Sequence, residues 1–330
     1  MFQNLYQLLI ECYLLFAACY LLPSIALGCE ASIQKKLSLI HRFFNYQTVR
    51  TYHGKLLLLG EYTILRGSRG LAMPLELFGG FWSKEGVDPA PGVLLKMTDF
   101  LSESNFSFEV DIARFKKEIA DGWHFNSDIP FGYGAGSSGA LTAGIYDRYV
   151  TKKAVNLSEL KKELGLIESF FHGASSGIDP LICYLNQSVL LRGKAQLEVV
   201  ENVPEYKNQF FLINTGISRK TAPLVHVFLE KSKDINYQNR CDAELIPAVD
   251  EAITAFLAAD WSGLSEQWHE ISFFQYKYFP EMIPEAFRQV WLDGLAGNDF
   301  KLKLCGAGGG GFILGMGDLE KCGVADILKV

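Results

Sequence analysis

Between residues 306 and 311 the chain reads Gly-Ala-Gly-Gly-Gly-Gly, five glycines in six positions, flanked by apolar strand patterns at Lys301–Cys305 and Phe312–Met316. Glycine gives up more backbone freedom on folding than any other residue, and a plain hairpin needs only two or three special positions. A loop this rich in glycine fits a place where a ligand approaches the backbone closely; the plainer alternative is a loose connector. A second glycine segment lies far upstream, Gly132-Tyr133-Gly134-Ala135-Gly136-Ser137-Ser138-Gly139. It follows a loop expected at Asn126–Pro130 and runs straight into a helical pattern that ends at Tyr149. Alternating glycines turn successive N–H groups toward one point, and a helix N-terminus directly behind them favours an anion. Ser137 and Ser138 add hydroxyls suited to phosphate oxygens or a metal ion. A purely structural turn needs no such pair of serines. The segment is not a Walker loop, because no Gly-Lys-Ser/Thr follows its glycines. Nor is it a dinucleotide fingerprint, because the spacing differs and no acid follows about 20 residues on.

Two carboxylates and one lysine stand out beside these loops. Glu168 sits at the edge of an apolar stripe formed by Leu160, Leu164, Ile167 and Phe171, on a helix that Ser158 is expected to cap and His172-Gly173 to end. Asp179 follows in a Ser/Gly stretch expected as a loop, Ala174 to Pro180. Near bound phosphates, one such acid would hold a metal ion and the other would orient or deprotonate a hydroxyl. Taken singly, Glu168 also reads as a solvated helix residue and Asp179 as a turn former. Lys55 precedes an apolar run from Leu56 to Leu59 that ends in Gly60-Glu61-Tyr62. Alone it reads as a surface charge; beside phosphates it would offset negative charge as a group transfers.

The rest of the chain is ordinary globular material. Its 330 residues are 49% hydrophobic and 21% charged with a formal net charge of −6, which excludes a disordered or disulfide-scaffold class and disfavours nucleic-acid binding. The seven cysteines show no metal-ligand spacing and read as a reduced set. The histidines share no ligand spacing either, so zinc is not expected. Residues 1–48 form an apolar extension, centred on Leu8–Leu27. It is open to three readings: a mis-assigned start upstream of about Val49, a membrane anchor followed by Lys35, Lys36 and Arg42, or a cleaved signal. From Tyr52 onward the pattern is α+β. Gly67, Gly70, Gly79 and Gly80 punctuate early strands, and Asp111–Gly122 is a short helix with Ile112, Phe115 and Ile119 on one face. A boundary is expected near 200–208, dividing domains at 49–205 and 206–330. Beyond it come a strand at Gln209–Asn214 and helices at Thr221–Lys231, Cys241–Ala259, Trp261–Phe279 and Pro284–Ala296, then a final helix at Asp318–Lys329. The aromatic run Phe273-Phe274, Tyr276, Tyr278-Phe279 is expected to pack in a core.

Taken in order, His53-Gly54-Lys55 through Gly60-Glu61-Tyr62, then Pro130 through Ser138, then Lys303 through Gly311 resemble the three motifs of the GHMP small-molecule kinases. Glu168, His172-Gly173 and Ser175-Ser176-Gly177-x-Asp179, with Asn214 to Thr221, look within that family most like the bacterial mevalonate kinases. The resemblance covers nearly all the chain from about residue 50. It implies a two-domain fold, the first domain like domain 2 of ribosomal protein S5 and the second ferredoxin-like. It implies ATP and Mg²⁺ as cofactors, a small acid such as mevalonate as substrate, and a cytoplasmic enzyme, commonly a homodimer in the family, that meets a membrane only if residues 1–48 are real. Asp179 matches the acid at the substrate hydroxyl, and Lys55 the lysine near that hydroxyl and the γ-phosphate. Ser138 and Glu168 match metal ligands. Gly132, Gly134, Ala135, Gly136, Ser137, Ser138 and Gly139, with Gly308 and Gly309, match the ATP-binding positions. Glu61, Tyr62, Arg219, Thr221, Gly306 and Ala307 match positions on the substrate side.

Three positions depart from the mevalonate kinase pattern. Tyr62 stands where many of those enzymes carry His, and Tyr is also found there in phosphomevalonate kinases. Cys305 replaces Thr or Ser, and His53 replaces Pro. Rival readings are therefore a phosphomevalonate kinase or another GHMP kinase, then a diphosphomevalonate decarboxylase, then a noncatalytic binder. The family also closes its second domain with a further strand, which the helical reading of 318–329 does not supply.

Overall fold

An apolar strand that can be covered on both faces starts the described chain. β1 (Tyr52–Leu59) is almost wholly buried and pairs antiparallel with the long β2 (Arg69–Ser83), with register shifts at His53/Gly54 and Leu57/Leu59. The structure is a computed structural model and describes residues 50–330 apart from 87, 89, 194, 195, 219 and 220, so the apolar extension at 1–48 lies outside the described residues. Gly70, Gly79 and Gly80 sit inside β2 rather than between strands, each close against a neighbour such as Ile64 or Phe125. Gly67 ends a 3₁₀ turn at Thr63–Arg66. β3 (His124–Ser127) flanks β2, so the expected loop at 126–130 begins only after Ser127. β4 (Val189–Arg192) and β5 (Gln196–Val199) extend the sheet in the order β1-β2-β4-β5.

Five helices accompany this sheet: α1 (Val93–Glu103), α2 (Ile112–Ala120), α3 (Ser137–Tyr149), α4 (Leu157–His172) and α5 (Ile178–Leu185). α2 starts at Asp111, whose side chain accepts from Arg114 N–H, and buries Phe115 as its apolar face required. The cap of α4 is Asn156, which accepts from Glu159 N–H at 2.9 Å, and not Ser158. The asparagine carbonyl stands one residue before the first helical position, where it reaches an otherwise orphaned donor, whereas Ser158 is already inside the first turn. α3 and α5 pack on each other and on β1.

The chain from Phe210 builds a second antiparallel sheet in the order β7-β8-β6-β9, from β6 (Phe210–Asn214), β7 (Phe300–Leu304), β8 (Phe312–Gly317) and β9 (Ile327–Lys329). Between β6 and β7 lie α6 (Thr221–Lys231), α7 (Ile235–Arg240), α8 (Ile246–Leu257), α9 (Trp261–Tyr278) and α10 (Arg288–Ala296). The helix expected at Cys241–Ala259 starts earlier, at Ile235, and passes through a wide π turn at Cys241–Leu245. Pro247 has no N–H to offer the preceding turn, which accounts for the widening. The expected helix at Asp318–Lys329 is absent: a 3₁₀ turn at Leu319–Cys322 ends in Gly323, and β9 then pairs with β6 through Ile327–Ile213 and Leu328–Leu212. A three-residue strand formed by a distant partner leaves no local periodicity to read.

Trp268, Trp291, Phe210 and Phe256 fill the core beside the second sheet. Within the aromatic run Phe274 and Phe279 are buried as expected, whereas Phe273 points outward. The described cysteines, 183, 241, 305 and 322, are buried and form no disulfide. Among the described residues no helix is long and apolar enough to cross a membrane.

Candidate active site

The first glycine segment does bring separate parts of the chain to one place. It turns through Gly132, Gly134 and Gly136 at positive φ and delivers α3 with Gly136 as its N-cap and no side chain capping it. The N-cap itself thus contributes no side-chain acceptor to the first-turn N–H groups, at the positive end of the helix. Ala135 is buried, and its carbonyl accepts from Lys55 N–H at 2.8 Å, which fastens the loop to β1. A Cβ on Gly136 would come within 2.9 Å of Lys55 Cγ. Gly139, in the first turn of α3, lies equally close to the backbone of Asp179 and Pro180.

Those approaches bring four side chains together. Lys55 Nζ lies 2.9 Å from Asp179 Oδ2. Asp179 stands in the first turn of α5, not in a loop as expected. Gly177 turns the chain at φ 73°, and Pro180 is tolerated because first-turn N–H groups need no helical acceptor. Ser138 Oγ donates to Glu168 Oε1 at 3.1 Å, and Ser175 Oγ donates to Glu168 Oε2. Burial and the negative charge of Asp179 push the Glu168 carboxyl up to about 7, against the pull of Ser175, Ser138 and Lys55. Cys183, wholly buried beside the same charges, has its thiol pushed up by that burial, so it stays a neutral packing group.

The oxygen-rich set of Ser138 and Glu168, with Asp179 adjacent, suits Mg²⁺, which commonly takes one or two protein carboxylates and completes its shell with phosphates and water. Among the described residues no group of three or more His, Cys, Asp or Glu is placed to hold a metal ion.

The second glycine loop reaches the first. Gly311 lies against the backbone of Tyr133, while Met282, Leu224 and Ile217 fill the space over Gly308, Gly309 and Gly310. The close approaches seen there are thus to the protein itself. Glu61 and Tyr62 turn inward. Glu61 Oε1 accepts from Lys303 Nζ at 2.6 Å, and Tyr62 donates to the carbonyl of Ala307 at 2.6 Å. Gly306 and Ala307 begin the loop beside them. Ser137 is half-buried at the start of α3, Thr221 is the first residue of α6, and Arg219 lies outside the described residues.

Two participants lie within the quoted motifs but were given no role from the sequence. Ser175 sits seven residues after Glu168, a spacing with no meaning until Gly177 folds the chain back. Lys303 did carry a signal: a lysine between Leu302 and Leu304 in an apolar strand needs a buried partner.

No family model matches the chain. Among curated proteins, the mevalonate kinase of Archaeoglobus fulgidus is 26% identical over 292 residues, 81% of this chain and 92% of that protein. Among solved structures, phosphomevalonate kinase of Streptococcus pneumoniae in complex with phosphomevalonate and AMPPNP aligns with a TM-score of 0.58 at 16% identity, over 86% of this chain and 99% of that one. Mevalonate kinase of Methanococcus jannaschii aligns with a TM-score of 0.54 at 18% identity, over 83% and 91%. Galactokinase of Lactococcus lactis complexed with galactose aligns with a TM-score of 0.57 at 15% identity, over 86% and 91%. At these identities the structural likenesses establish the fold. Motif order, fold and curated relative agree in likening the chain to the GHMP kinases, small-molecule kinases that share this architecture.

Proposed function

We propose that the protein transfers the γ-phosphoryl group of ATP to the primary hydroxyl of mevalonate. The observation that carries this reading is the 2.9 Å pairing of Lys55 with Asp179 beside the uncapped start of α3. The glycine segment and the α3 terminus bind the phosphates through backbone N–H groups. Asp179 orients the acceptor hydroxyl and takes its proton at a carboxylate oxygen. Lys55 holds Asp179 in place and sets a positive charge next to the transferring group. Ser138 and Glu168 would hold Mg²⁺, which supplies charge neutralisation at the phosphates. With a loose transition state, most of the acceleration comes from positioning and fixed charge.

The choice of mevalonate follows the curated relative and the Glu168-to-Asp179 signature. A substrate phosphate would call for further cations. The test is purified protein with ATP and magnesium, given mevalonate, phosphomevalonate or diphosphomevalonate in parallel while ADP and carbon dioxide are followed. ADP release with mevalonate alone is expected. ADP only with phosphomevalonate, or carbon dioxide with diphosphomevalonate, would reassign the substrate.

A further inference from the structure

Glu61 and Tyr62 close the run that starts at Lys55, yet both side chains reach across to residues more than 240 positions away. Lys303 Nζ, the donor to Glu61, is wholly buried and also donates to the carbonyl of Leu304 at 2.8 Å. The backbone of Gly306 is near enough to favour the charged form of the Glu61 carboxyl. The Tyr62 hydroxyl takes the next carbonyl along, that of Ala307, and its ring lies between Phe228 and Phe279 at centroid distances of 4.7 and 5.4 Å. Tyr62 holds φ at 64°, where side chains are rare, and such a conformation persists only when its surroundings over-determine it. The far half of the same loop is tied elsewhere: Gly309 N–H donates to Met282 and Gly311 N–H to Ile217.

We propose that Glu61 and Tyr62 are positioning residues that clamp the near half of the second glycine loop to the end of β1, and that they act on phosphoryl transfer through that loop rather than by touching the substrate. The clamp spans the two sheets. It fixes residues 305–307 relative to the strand that carries Lys55, and the loop beyond them reaches the first glycine segment at Tyr133. Only the kinetic consequence rests on the proposed kinase reading.

Two measurements test the clamp. Hydrogen exchange on the ligand-free protein reads the amides of residues 306–311 in wild type, in Tyr62→Phe, and in the double variant Glu61→Leu/Lys303→Met, which strands no buried charge. Tyr62→Phe keeps the ring between its aromatic neighbours and is expected to stay folded. Exchange across the loop should rise about tenfold in each variant, the factor expected for losing one buried hydrogen bond, while α3 amides stay unchanged. In steady-state kinetics Tyr62→Phe should lower kcat by about tenfold and leave the acceptor KM within about twofold. Unchanged loop exchange in both variants overturns the clamp, and so does a raised acceptor KM at constant kcat. If wild type transfers no phosphoryl group, the kinase reading fails by itself and the exchange measurement alone decides the clamp.

Discussion

Glu168 is where acidity and stability meet in this site. Its carboxyl is raised in the folded protein to about 7, first by burial and then by Asp179. In the unfolded chain it returns to the ordinary range near 4.5. The folded state therefore holds a proton that the unfolded state has given up, and stability from this group is full below about pH 4.5 and is lost as pH rises to about 7. The loss amounts to roughly 2–3 kcal/mol. Urea unfolding of the ligand-free protein between pH 4.5 and 8 should show this slope in wild type, and Glu168→Gln should lack it. Asp179 behaves differently. Its side chain is 38% exposed, and a partly exposed ion pair contributes little to stability. Asp179→Ala should keep its melting temperature within a few degrees and lose roughly 10²- to 10⁴-fold in kcat, the span for removing a catalytic base. Near-normal turnover in that variant would remove Asp179 from the chemistry.

At the scale of elements, the join between β1 and α3 shows how a helix start becomes a site. Gly136 adopts φ 88° as N-cap, and the space where a Cβ would sit is filled by Lys55. Gly136→Ala should destabilise the fold by about 1–3 kcal/mol, since the backbone is strained and its neighbour must shift. It should also depress kcat beyond what stability explains, because the atom displaced belongs to Lys55. A melting curve together with kinetics well below the melting temperature separates the two effects. The long helices from Thr221 to Tyr278 and the strands around the second glycine loop were legible because their apolar periodicity is local. So were Lys55, Ser138, Glu168 and Asp179, which fall within recognisable motifs and do converge. Other features were hidden for the same physical reason. β9 exists only because β6 offers an edge, Asp179 entered a helix only because Gly177 turns the chain, and Ser175 gained its role only through that turn. The first leaves no mark within a few residues of itself, while the other two depend on a glycine whose turn shows only in the folded chain. The glycines at 308–311 also serve the protein's own packing: Met282, Leu224, Ile217 and Tyr133 sit where a Cβ on them would stand.

Across the whole molecule, the two sheets meet through ionic contacts of unequal weight. Arg66 pairs with Asp242 and Arg69 with Asp250 nearer the surface, where solvent screens them. Lys303 and Glu61 are different, with side chains 0% and 2% exposed. Burial raises the Glu61 carboxyl even though Lys303 pulls it down; taking two charges out of water is costly, and their attraction repays it only in part. Such a pair is expected to be costly to break and cheap to replace. Lys303→Met alone strands a carboxylate in the interior and should lower unfolding stability by about 3–5 kcal/mol. Glu61→Leu/Lys303→Met removes both charges and should return to within about 1–2 kcal/mol of wild type, with apolar groups of similar size in their place. Urea unfolding of the single and double variants measures the coupling, and simple additivity of the two single losses would show that the pair is not a unit. The double variant also separates stability from function. If the pair served stability alone, turnover would return with it; if it also holds the start of the glycine loop in place, turnover should stay low in a protein that is again fully folded.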